Sequence, residues 1–151
     1  MKFGTIMDGV VQNTEIQYSL SEKAFDCEPI VNADIYFAIG YLNLGIDSED
    51  MLVKSLWGVS PREQWIEEDL VVPCAIEGRV RLLGEHESGW TRRIDNTVWR
   101  SHYDKHTGWF CLGVTENDDG DVAIKAFKNM IIVVDKERKL KSFWIYPVLT
   151  D

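Results

Sequence analysis

Apolar and polar side chains alternate along much of this chain with the short period of strands. In the C-terminal third, the runs Gly108-Trp-Phe-Cys-Leu-Gly-Val-Thr115, Asp121-Val-Ala-Ile-Lys-Ala-Phe127, Asn129-Met-Ile-Ile-Val-Val134 and Leu140-Lys-Ser-Phe-Trp-Ile-Tyr146 are rich in β-branched and aromatic residues. Turn chemistry separates them. Glu116-Asn-Asp-Asp-Gly-Asp121 carries Gly120, which can take positive φ, and Lys128-Asn129 and Asp135-Lys-Glu-Arg138 mark two further reversals. Pro147 ends the last run because it cannot donate to a central ladder. Residues 108–146 therefore predict an antiparallel meander, with a hairpin across the acidic turn.

Upstream, the apolar runs 34–42 and 51–57 fit either strand or helix by periodicity alone. The polar connection between them has hairpin length, which favours two strands. Runs 75–83 and 96–102 add two more. Ser60-Pro61-Arg62-Glu63 has the form of a capping box with proline at the first helical position. It predicts a helix of about ten residues, with Trp65, Ile66 and Leu70 toward the core and Glu67, Glu68 and Asp69 toward water. The fold class expected is α+β: a mainly antiparallel β sheet, sandwich or half-barrel, with one or two short helices, in a single domain over 1–151.

Length and composition are consistent with that picture. A chain of 151 residues removes roughly 70% of its extended surface from water on folding, so it needs neither disulfides nor metal to hold a core. The longest apolar stretch, 33–46, is interrupted by Asp34 and Asn43 and is shorter than the roughly 20 residues of a membrane span. The first residues lack the apolar core of a signal peptide, so a cytoplasmic protein is expected. Cys27, Cys74 and Cys111 are odd in number and widely spaced, which suits reduced thiols, each read as a small buried side chain. An apolar setting would raise the Cys111 pKa and make it a poor nucleophile.

Charge is uneven. Residues 1–70 hold 13 acidic side chains against Lys2, Lys23, Lys54 and Arg62, and residues 71–151 hold 12 of each sign, so the whole net charge of −9 resides in the first part. Such a field disfavours nucleic acid and anionic membranes, both polyanionic, and favours encounter with a basic protein surface.

Four constellations bear on chemistry. His102-Tyr-Asp-Lys-His106 spaces two imidazoles four apart, but Tyr103 stands where a zinc protease has its glutamate, and the segment runs into Thr107-Gly108 as a loop. His102, Asp104 and His106, with His86, are also acid–base candidates for a small hydrolase. The acidic turn 116–121 offers hard oxygen ligands but misses the calcium-loop spacing, and reads as a solvated turn. Neither a nucleophile elbow, a P-loop nor a dinucleotide fingerprint is present, and no cofactor, metal or catalytic residue is assigned. Finally, the six tryptophans are mostly core candidates, with Trp90, beside Gly89 in a polar stretch, the least core-like.

The stretch from Tyr103 to Gly113, the acidic turn after it, Ala126-Phe-Lys-Asn-Met-Ile-Ile-Val-Val-Asp135 and Leu140-Lys-Ser-Phe-Trp-Ile-Tyr-Pro147 resemble the C-terminal part of small immunity proteins from bacterial polymorphic-toxin and contact-dependent growth inhibition loci. A fainter similarity covers 33–65. The resemblance implies a non-enzymatic inhibitor that binds the toxin domain of its own locus, with a basic nuclease as the expected target. It transfers a role and no residues. On the charge argument, the expected contacts are Asp47, Glu49 and Asp50 on one loop, Glu63, Glu67, Glu68 and Asp69 on the predicted helix, and Trp90. The alternatives are the His102/Asp104/His106 hydrolase and a ligand-binding scaffold with an aromatic-lined pocket.

Overall fold

The computed structural model describes residues 1–84, 91–94 and 99–151. The chain begins with β1 (Lys2–Ile6), β2 (Glu15–Ser19), β3 (Ala24–Glu28), β4 (Ile35–Ile39), β5 (Leu42–Ile46) and β6 (Val53–Val59). A single 3-10 turn (Arg62–Gln64) leads to β7 (Ile66–Glu67), β8 (Ile76–Glu77), β9 (Arg79–Leu83), β10 (Thr91–Arg93) and β11 (Ser101–Tyr103). Then come β12 (Phe110–Gly113), β13 (Val122–Phe127), β14 (Met130–Val134), β15 (Leu140–Ile145) and β16 (Val148–Thr150).

The strands form two seven-stranded sheets and a two-stranded ribbon. The first sheet has the order β10-β4-β5-β6-β3-β2-β16, the second β7-β11-β12-β15-β14-β13-β8, and the ribbon is β1-β9. Most neighbours are antiparallel, and β10, β16, β7 and β8 join the sheet edges in parallel. The result is a β-rich, sandwich-like fold whose sheets are not closed into a barrel.

One hydrophobic core lies between the sheets. Alternation along β2, β3, β4 and β5 sends Ile16, Tyr18, Phe25, Phe37 and Leu44 inward. From the second sheet, Phe110, Ile124, Ile132, Phe143 and Ile145 meet them in the same cluster. Phe3, Val80 and Leu82 of the ribbon belong to it too. Asn129, in the two-residue bend between β13 and β14, ties the sheets together. Its amide accepts the Ile16 N–H and donates to the Ile16 carbonyl, both at 2.8 Å, as a paired strand would.

Three sequence expectations need correction. The ten-residue helix is absent: the 3-10 turn is the described helical segment between β6 and β7, and the chain then runs extended. The capping box is diverted to tertiary bonds. Ser60 Oγ accepts the Trp65 indole N–H at 2.9 Å, the Ser60 carbonyl accepts the Tyr18 hydroxyl at 2.7 Å, and Glu63 reaches Lys23. Trp65 is buried, with ring centroids 5.0 Å from Tyr18, 5.0 Å from Phe110 and 5.1 Å from Tyr103. Burying a tryptophan outweighs the roughly 1 kcal/mol of a helix cap. Ile66, expected in the core, is exposed.

The second correction is topological. β13, β14 and β15 do form a meander, but β12 pairs with β15, not with β13. The 116–121 turn is therefore a crossing connection of Greek-key kind, not a hairpin. Third, the run 34–42 is not one strand. It breaks at Gly40, whose φ of +61° supplies the left-handed conformation that a two-residue hairpin turn between β4 and β5 requires.

The outer faces of the two sheets are treated differently. On the second, Cys111, Ile131, Val133 and Trp144 point outward yet are buried. The segment 68–75 crosses from β7 at one edge to β8 at the other and lays Leu70, Val72 and Ala75 against them. Among the described residues, the outer face of the first sheet has no such strap.

Candidate functional site

The predicted acidic residues fall into two groups separated by the length of β6. Asp47, Glu49 and Asp50 lie on the loop before that strand, and Glu63, Glu67, Glu68 and Asp69 follow it. At roughly 3.3 Å per residue, the two ends of β6 lie about 20 Å apart, and Glu67 belongs to β7 of the other sheet. Most of the second group is already engaged. Glu63 lies 2.6 Å from Lys23 Nζ, Glu67 3.8 Å from Lys105, and Glu68 2.6 Å from His102 Nδ1. The Lys23 ammonium bonded to Glu63 holds that carboxyl below its ordinary pKa. Asp69 is exposed and has no ion pair among the described residues. Trp90 and His86 lie outside the described residues, as do residues 96–98 of the 96–102 run.

The first group belongs to a larger acidic end. β2 and β6 begin there, and β3 and β5 finish there. Glu15 and Glu28 face each other directly across the β2–β3 ladder, and Asp26 lies two residues back on the same outward side. Asp34 closes the loop between β3 and β4 by accepting the Ser48 N–H and hydroxyl, which holds its carboxyl below the usual range. Lys54 is taken by Asp50 at 3.0 Å. Among the described residues, Glu15, Asp26 and Glu28 have no basic side chain within 4 Å. Two like charges in direct cross-strand register are a destabilising arrangement.

Beside these carboxylates lies an aromatic surface. Trp57, on the central strand β6, is 43% exposed, and Ile30 in the β3–β4 loop is 84% exposed. By continuation of the β3–β6 register, which pairs Ala24 with Val59 and Phe25 with Gly58, Trp57 stands opposite Asp26. The backbone ladder stops there. Instead, the Leu56 N–H donates to Cys27 Sγ and the Cys27 thiol donates to the Leu56 carbonyl, each at 3.3 Å. Burial pushes that thiol up to about 11, so it is neutral and structural near pH 7.

Where β3 peels away from β6 a cleft of about 240 Å³ opens. Cys27 and Ser55, both buried, form its base. Its walls are Ile30, Val31, Tyr36 and Trp57, and Asp26 stands at the opening. Gly45, between Tyr36 and Ser55 in the ladder, keeps the base tight. A Cβ there would meet Ser55 Oγ at 2.2 Å and Ala33 Cβ at 2.9 Å. The Tyr36 hydroxyl donates to the Ala33 carbonyl at 2.5 Å, which holds the loop against the sheet.

The histidine cluster does not converge. Asp104 is buried and spends its carboxylate on the N–H groups of Leu70 (3.0 Å), His106 (2.9 Å) and Thr107 (3.3 Å). These bonds, Leu70 foremost, hold its pKa below the ordinary value. His106 is exposed on the turn, while His102 Nδ1 is buried beside Glu68 but out of line for a hydrogen bond. Asp104 thus ties the strap and the turn to β11 and orients neither imidazole.

The acidic turn 116–121 is not a fully solvated one. Lys141, with a side chain only 9% exposed, places its ammonium 2.9 Å from Asp118 and 2.5 Å from Asp121. Burial works against that charge, but the bonds to Asp121 and Asp118 outweigh it and raise the lysine pKa. An internal cation thus sits where a calcium ion was conceivable. Among the described residues no group of three or more His, Cys, Asp or Glu side chains is placed to hold a metal ion. Cys111 is buried and its pKa raised by desolvation, whereas Cys74, expected in the interior, is exposed on the strap. No helix among the described residues is long and apolar enough to cross a membrane.

The sequence reading did not single out Glu15, Asp26, Glu28, Tyr36 or Trp57. The alternation in Glu15-Ile-Gln-Tyr-Ser19 and Ala24-Phe-Asp-Cys-Glu28 was the signal that would have placed their carboxylates on one outward face. Compared with known proteins, the chain matches no family model and no curated protein sequence.

Proposed function

We propose that this chain is a protein-binding inhibitor of immunity type, which occludes a basic toxin domain through the outer face of its first sheet. The observation that carries the reading is the juxtaposition of Glu15, Asp26 and Glu28, unpaired among the described residues, with the exposed Trp57 and Ile30. Carboxylates without internal partners steer a cationic surface inward and quicken association. An exposed tryptophan at the middle of a sheet supplies the apolar anchor that slows dissociation. Asp47, Glu49 and Asp50 extend the acidic end, whereas Glu63, Glu67 and Glu68 contribute less because each already faces a positive or titratable neighbour.

A nuclease fits as target because an enzyme acting on a polyanion needs a basic cleft. The inhibitor would then act in the cytoplasm of the producing cell, with no cofactor and no bond made or broken. The test is to co-express the chain with the toxin domain encoded beside its gene, isolate the complex and measure protection of cells making that toxin. A one-to-one complex with an association rate that falls steeply as salt rises is expected. No complex and no protection would reject the reading.

A further inference from the structure

Within that reading, on which the following rests, the geometry points to the cleft between Trp57, Tyr36 and Asp26 as a socket for one arginine side chain of the partner. The cleft is lined on its walls by apolar and aromatic groups that suit the methylene stem of such a side chain. Its volume of about 240 Å³ admits one long side chain and not a folded segment. The indole of Trp57 and the ring of Tyr36 both line the cleft, and such rings attract a planar cation over their faces.

Charge selects the sign of the occupant. Asp26 is the carboxylate of the lining and no lining residue is cationic. One Asp26 oxygen accepts the Cys27 N–H at 2.9 Å, and the other has no partner among the described residues. Glu28 and Glu15 lie on the same side of β3 and β2 and deepen the negative potential. Lys54, the basic side chain nearest in sequence to Ser55, is held by Asp50.

Trp57 also differs from three of the other described tryptophans. The indole N–H groups of Trp65, Trp99 and Trp144 donate to Ser60 Oγ, the Ile94 carbonyl and Ser142 Oγ. Trp57, the most exposed of the described tryptophans, makes no such bond among the described residues. Arginine suits the cleft better than lysine. Its guanidinium stacks on a ring while still donating to a carboxylate, and it is less strongly hydrated than an ammonium.

The probe is N-acetyl-arginine N′-methylamide, with the citrulline analogue as its uncharged shape mimic, titrated into the full chain and followed by NMR. Saturable shifts of the Trp57 indole and the Asp26 amide are expected, at least tenfold weaker for citrulline. Trp57→Ala and Asp26→Asn should each weaken arginine binding at least tenfold while the remaining amide spectrum stays native. Absent shifts at Trp57, or equal binding of citrulline, would overturn the socket. The toxin-binding assay separates the two readings. If toxin binds the wild type and both variants with equal affinity, the socket fails and the inhibitor reading stands; if toxin does not bind the wild type, the inhibitor reading fails.

Discussion

Trp144 and Trp57 hold equivalent places, each pointing outward from the central strand of a seven-stranded sheet, and their surroundings are opposite. Trp144 is fully buried under the chain's own strap, its indole N–H bonded to Ser142 Oγ. Trp57 is 43% exposed, beside a cleft and a row of carboxylates. The first arrangement removes apolar area from water and so stabilises the fold. The second leaves that contribution unrealised and adds like-charge repulsion, which stability alone does not explain. The second sheet is therefore a structural layer enclosed on both sides, and among the described residues the first sheet has one face without such a cover.

Substitutions sharpen the contrast. Trp144→Ala should cost the most, about 3–5 kcal/mol of unfolding free energy in urea titration, because its cavity forms between sheet and strap. A loss under about 1 kcal/mol would mean that the strap does not seal that face. Lys141→Ala should cost about 2–3 kcal/mol, less than a fully enclosed pair because Asp118 stays mostly exposed. Retained stability would show that the turn 116–121 needs no internal cation.

Asp104→Asn tests the anchor of the strap through pH. The folded Asp104 pKa lies below its unfolded value, so its stabilisation is present above about pH 3.9 and is lost as pH falls through the lower folded value. The variant should be less stable than wild type at neutral pH, and the gap should close in acid. Parallel stability curves down to about pH 2 would exclude Asp104 as a source of the acid transition. The smallest effect on stability belongs to Trp57→Ala, within about 1 kcal/mol, so that any loss of binding in this variant reports on the surface and not on folding.

Much of this fold was legible from local chemistry. The β-branched runs gave β13, β14 and β15, the Lys128-Asn129 bend and the 135–138 turn separated them, and Pro147 ended the third. What failed was non-local. Nothing in Phe110–Gly113 says that its neighbour is β15, because the pairing is non-local and the 114–121 connection that accompanies it is pinned to Lys141 of that strand. The capping box misled because its serine hydroxyl was taken by the indole of Trp65, five residues on, and its glutamate by Lys23 from a distant strand end.

The site was legible only in part. The acidic bias of the first 70 residues and the Asp47–Asp50 loop led toward the acidic end. The ion pairs of Glu63 and Glu67, and the approach of Glu68 to His102, lie across the fold and leave no trace in spacing. Trp57 was hidden because the register shift between Gly45 and Ile46, opposite Lys54, breaks the alternation that would have assigned its face.

The central claim is that the open face of the first sheet, and not the edge bearing Glu67 and Glu68, is the surface that receives a basic partner. The most direct measurement is the affinity of the neighbouring toxin domain for two variants, Asp26→Asn/Trp57→Ala and Glu67→Gln/Glu68→Gln, by isothermal calorimetry. The first should lose at least 30-fold, about 2 kcal/mol, and the second less than threefold. The reverse ranking would contradict the account.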